Sequence, residues 1–158
     1  MAERIPSISD VTALESDYVE GRRGPLLPAR AALVERWRLG SRDRETALRL
    51  AFLDWYSCSE PEFLTGMPAL LQSDASFFAE CSEHLLASHD DDEVGFALGW
   101  MMKSFPYCCG TLPGSHWLAR GRQLWSEHST PEHRPKPSVF LGRGAYGHYF
   151  AHISNVSH

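Results

Sequence analysis

Apolar side chains recur along this chain at helical intervals, and nowhere do several alternating runs stand in series. Val11, Leu14 and Tyr18 follow Asp10 at such intervals, which predicts a short helix running to Glu20 with residues 1–10 loosely ordered. Gly21, Gly24, Pro25 and Pro28 then break the chain. Pro28 suits the first turn of a second helix, in which Ala32, Leu33, Trp37 and Leu39 make the apolar side. Arg30, Arg36 and Arg38 lie around that side, and Gly40 supplies a left-handed stop. Ser41 caps a third helix over 43–57, whose Leu48, Leu50, Ala51, Phe52, Leu53, Trp55 and Tyr56 cover nearly the whole circumference. Such a helix belongs at the centre. Asp54 interrupts the run, and a carboxylate there must reach water or a donor, so a structural pairing is expected.

Ser59-Glu60-Pro61-Glu62 has the form of a capping box and opens a short helix ending before Gly66. Ser73 or Asp74 starts the next, with Phe77, Phe78, Cys81, Leu85 and Leu86 inward and Glu80, Glu83 and His84 outward. Asp90 and Glu93 form a second capping box before an apolar helix that Pro106 ends. Gly95 and Gly99 each cost that helix about 1 kcal/mol relative to alanine, which is tolerable if another helix approaches closely there. A turn at 110–114 precedes a helix capped by Ser115 and carrying Trp117, Leu118, Leu124 and Trp125. Residues 130–137 read as a Pro-rich internal linker and 138–141 as briefly strand-like. Tyr146, Tyr149, Phe150 and Ile153 mark a last amphipathic helix. The sum is an all-α fold, a single domain over 1–158 built as a helical bundle or short stack of helical hairpins, with about six to seven helices.

At 158 residues, 43% hydrophobic and 22% charged, the chain has enough apolar surface for one core without a metal or disulfide staple. No apolar run reaches the ~18–20 residues that cross a bilayer, and no basic-then-apolar leader opens the sequence. The expectation is a cytoplasmic protein with no membrane partner. Cys58, Cys81, Cys108 and Cys109 show no Cys-x-x-Cys spacing of a zinc framework, and without an export signal four reduced thiols in a reducing compartment are the default. Cys108 and Cys109 then serve as small apolar fillers, with a redox or metal role as the alternative.

Charge changes the picture more than composition does. Residues 21–50 hold eight arginines against three acids, whereas residues 51–100 hold ten acids and no lysine or arginine. Two arrangements fit. Either the basic segment neutralises the acidic one internally, or a surplus acidic face points outward and attracts a cationic partner. The outward reading makes Glu60, Glu62, Glu80, Glu83, Asp90, Asp91, Asp92 and Glu93 the candidate partner-binding residues. The partner would be a basic protein rather than nucleic acid, whose phosphates such a face repels.

Motifs for chemistry are sparse. Gly142-Arg143-Gly144-Ala145-Tyr146-Gly147 matches Gly-x-Gly-x-x-Gly, but too little chain follows for a second strand and a ribose ligand. A tight turn with Arg143 packed or paired, docking the last helix, is the reading it supports. His148 and His152 share a helix face as metal ligands do, with His116, His128 or His133 as the candidate third ligand. Asp90–Glu93 lacks EF-hand spacing, and no nucleophile elbow occurs. Five tryptophans are core residues, or interface anchors where exposed beside acids. The expectation is therefore a non-catalytic binding protein without cofactor or metal, inhibitor-like or toxin-immunity-like. The alternative is a small metal-dependent or Cys/His enzyme using histidines of the C-terminal half with Cys108 or Cys109.

Overall fold

The helix that is apolar all round does lie at the centre. It is α4, Arg44–Ser59, and every residue from Thr46 to Ser57 is buried. The structure, a computed structural model, describes residues 4–69 and 76–156. Around α4 are α1 (Ile8–Leu14), α2 (Ser16–Val19), α3 (Leu27–Arg38), α5 (Glu62–Thr65), α6 (Phe78–Ser88), α7 (Asp92–Ser104), α8 (Gly114–His128) and α9 (Gly144–Val156). Single 3-10 turns lie at Pro106–Cys108 and Pro137–Phe140. The described residues are all helix, turn and loop, as expected, but they hold nine α-helices rather than six to seven. Two of these, α2 and α5, are single turns of four residues, and the helix expected up to Glu20 is divided at Glu15. None is long and apolar enough to cross a membrane.

Local chemistry shifts several boundaries. Ser7, not Asp10, begins α1: its hydroxyl accepts from Asp10 N while the Asp10 carboxylate accepts from Ser7 N, so residues 7–10 form a capped first turn. Asp43 stands at the head of α4 in place of Ser41. The box expected at Ser59 does not form. Pro61 precedes α5 instead, and the buried Ser59 hydroxyl finds no hydrogen-bond partner among the described residues. The second box does not form either: Asp91, not Asp90, caps α7 by accepting from Val94 N at 2.9 Å, and valine has no group to answer it. Pro113 and Gly114 open α8 ahead of Ser115. The segment at 138–141 is not strand-like, because Pro137 starts a 3-10 turn that buries Phe140. A start at Ser73 or Asp74 lies outside the described residues.

Packing explains two oddities of the sequence. Asp54 is fully buried and takes two hydrogen bonds from Arg30, at 2.8 and 3.3 Å, and one from Phe77 N at 2.7 Å. Those contacts pin α3 and the start of α6 to the last turns of α4. Gly95 and Gly99 form the seam with α8: a methyl at Gly95 would overlap the His128 ring, and one at Gly99 would stand 2.8 Å from Trp125 N. Gly121 answers from the other side, 2.5 Å from Lys103 N by the same construction. Three glycines thus bring two backbones almost into contact.

The thiols depart from expectation. Cys58 and Cys108 form a disulfide joining the last turn of α4 to the 3-10 turn after α7, while Cys81 and Cys109 are free and buried. Cysteine spacing gave no hint of it, because fifty residues separate the pair and only the α4–α7 packing brings them together. The expectation of four reduced thiols fails at Cys58 and Cys108.

Candidate functional site

The acidic middle of the chain does not form one outward face. Asp91 takes Arg44 Nε and Nη2 at 2.9 Å each, and Glu93 takes the same guanidinium at 3.1 Å. Glu93 also meets Arg143 at 2.8 Å and accepts from the buried Tyr146 hydroxyl at 2.6 Å. Burial alone would raise both carboxyls, but the hydrogen bonds from Arg44 on Asp91, and from Arg143 and Tyr146 on Glu93, hold them below their ordinary values. Asp92 bonds His128 Nδ1 at 2.9 Å and His133 Nδ1 at 3.3 Å, and the His128 bond is the main reason its carboxyl is held low. Glu80 lies 3.7 Å from Arg42. Three of the eight candidates are thereby paired with the chain's own arginines and a fourth, Asp92, is hydrogen-bonded to two histidines, contrary to an acidic surplus turned wholly outward.

The network continues inward. Arg143 bonds Glu45, Glu45 lies 3.8 Å from Arg49, and Arg49 pairs with the buried Glu15. Glu15 also accepts from Ala145 N at 2.9 Å. This is the use of the glycine-rich turn. Gly142 and Gly144 hold left-handed φ of 72° and 66°, and a methyl at Gly144 would meet the Arg49–Glu15 pair. A methyl at Gly147 would overlap the Phe140 carbonyl. The turn docks α9 and pairs Arg143, the role expected for it.

Glu60, Glu62, Glu83 and Asp90 remain, none in an ion pair among the described residues. They do not form one face: Glu83 stands on α6, in a groove with Leu86, Leu112 and Arg120. Glu60 follows the last turn of α4, whereas Asp90 adjoins the Asp91–Arg44 pair at the first. A helix of 16 residues, about 24 Å, separates those ends. Glu83 shares a groove with the half-exposed Leu112, but the α5 end sets its carboxylates beside an aromatic ring standing almost wholly in water. Phe63 is 90% exposed and Leu64 46%, beside Glu60 and Glu62. The turn is held rigidly. Gly66 ends it at a left-handed φ of 68°, tight against Pro25, and Leu26 N donates to Thr65 O at 2.9 Å. Between α5 and the 21–25 turn runs a groove of about 690 Å³ lined by Tyr18, Arg22, Arg23, Phe63, Leu64 and His148. A second cavity of about 260 Å³, between α2 and the glycine-rich turn, shares His148 with it.

Sequence reasoning passed over Phe63. Its signal was present: Phe63 and Leu64 are adjacent on a helix of one turn, so they point in different directions and one must face out.

The residues of the enzymatic alternative are dispersed. His148 and His152 are exposed on α9, His128 and His133 are taken up by Asp92, and His116 lies edge-on to Trp117. No group of three or more His, Cys, Asp or Glu among the described residues is placed to hold a metal ion. Cys108 is in the disulfide, and burial pushes the Cys109 thiol well above its ordinary value, away from a reactive thiolate. Trp37, Trp55 and Trp117 are core. Trp100 and Trp125 are partly buried 5.3 Å apart, facing the Lys103 ammonium rather than acids.

Compared with known proteins, the chain matches no family model, no curated protein and no solved structure.

Proposed function

We propose that this chain is a non-catalytic protein-binding module whose contact surface is the α5 turn. Glu60 and Glu62 supply the charge and Phe63 the apolar anchor. The partner is a protein presenting cationic side chains beside an apolar recess, the pattern that an inhibitor or a toxin-immunity protein engages on its target. The observation that carries this reading is the exposure of Phe63. A benzyl side chain standing 90% in water, on a turn fixed by Gly66 and Pro25, contributes nothing to its own core. Buried aromatic anchors ringed by polar residues dominate binding energy at protein interfaces. The carboxylates steer cationic partners and repel phosphate backbones. Glu83 on α6 and Asp90 at the far end of α4 belong to the outer field rather than to the contact.

The test compares proteins captured by the wild-type chain at low and at high salt with those captured by an E60K/E62K/F63A variant. Capture that falls with salt and disappears in the variant supports the reading. The same proteins held by both chains at both salt concentrations overturn it.

A further inference from the structure

The α5 prong calls for a cationic rim next to an apolar recess, and this molecule carries one beside it. Arg22 and Arg23 edge the 690 Å³ groove, with Tyr18 and His148 in its wall. Arg22 is shared between Asp17, at 2.9 Å, and Glu20, while Arg23 is exposed and in no ion pair among the described residues. One patch therefore holds an anionic, aromatic projection and a cationic, partly apolar hollow side by side. That is the condition for an isologous contact, in which the same surface on two copies is complementary to itself across a two-fold axis. The adjoining 260 Å³ cavity and the exposed Leu141 extend the face beyond the groove, toward the roughly 800 Å² per partner that a standard interface needs.

Resting on the reading of α5 as the contact surface, we infer that its partner is a second copy of this chain. Phe63 of each copy enters the groove of the other near the two-fold axis, and Glu62 faces Arg23 of the partner subunit. Phe63 lines its own groove and is still 90% exposed, so that groove leaves its ring uncovered and available to a neighbour. The net charge of −5 sets two copies against each other at long range, so the pairing rests on close contact between Glu62 and Arg23, where screening by salt leaves the local attraction.

Sedimentation velocity on the purified full-length chain, from micromolar to millimolar concentration, tests this. Wild type is expected to show a concentration-dependent dimer, and F63A to weaken it by about tenfold or more. E62R and R23E are each expected to weaken self-association, because each sets like charges against one another across the axis. Their equimolar mixture restores a dimer. In that mixed pair the two introduced side chains face each other with opposite charge, and the unaltered Glu62 of one copy faces the unaltered Arg23 of the partner subunit. Circular dichroism confirms that each variant is folded, which surface positions permit. A wild type that stays monomeric throughout overturns the inference, and so does a dimer indifferent to all three substitutions. The first result leaves the α5 reading standing if salt-sensitive capture is still lost in the E60K/E62K/F63A variant. Loss of neither capture nor dimer in any variant overturns both.

Discussion

Glu15 and Arg49 are an ion pair whose two side chains are each 1% exposed, an acid from the α1–α2 junction buried against an arginine in the middle of the central helix. Arg49 also donates to Thr12 at 2.9 Å, while its Nε has no hydrogen-bond partner among the described residues. Removing one member strands the other in the core, so E15A or R49L is expected to destabilise the fold by about 3–5 kcal/mol. The double change E15M/R49L should cost much less than the sum. Urea denaturation of the three variants measures both; additive losses would mean that the pair is not coupled.

Acid should weaken the molecule at the α4–α7 junction. Asp91 and Glu93 are held below their ordinary 3.8 and 4.5, so the folded state binds these protons less readily than the unfolded chain does. Their contribution is complete above those values and is lost as pH falls below about 4.5, through the lower folded values. Asp54 acts in the opposite sense, because burial pushes its carboxyl up despite Arg30. Denaturant midpoints at pH 7, 4 and 3 are expected to fall, and R44M should flatten that fall. An R44M protein with the wild-type pH slope would exclude the Arg44 bonds as its source.

Reducing Cys58–Cys108 opens a loop spanning fifty residues, which is worth about 4 kcal/mol by chain entropy. C58S/C108S and the reduced wild type should lose stability by about that amount. Hydrogen exchange should rise first at the end of α4 and in α5, which begins four residues after Cys58. Exchange that rises only elsewhere would detach the disulfide from the contact surface.

Alanine normally improves a helix over glycine by about 1 kcal/mol. At Gly121 the sign should invert, because its new methyl meets the Lys103 backbone at 2.5 Å and crowding of this kind costs about 1–3 kcal/mol. Thermal unfolding of G121A beside G114A, where a methyl meets nothing within 4 Å, separates the two effects.

The sequence made some of this legible for local reasons. A run apolar on all sides located α4, a lone carboxylate within it announced Asp54–Arg30, and paired glycines foretold the α7–α8 seam. What stayed hidden depended on distance in the chain. Asp91 and Glu93 look like part of one acidic block, but α4 carries Arg44 to them and the glycine-rich turn before α9 brings Arg143, 50 residues further on than Glu93. Segment charge sums cannot show which residues a helix delivers to which. The site was obscured differently: Phe63 reads as one more apolar position until the single turn that holds it is seen to have no second face against the core.

The bond from Ala145 N to the Glu15 carboxylate spans 130 residues. On the ribosome, the first helices leave the exit tunnel long before the peptide amide that completes them has been synthesised. Glu15 and Arg49 must wait in water, and the fold closes only once the final helix has emerged.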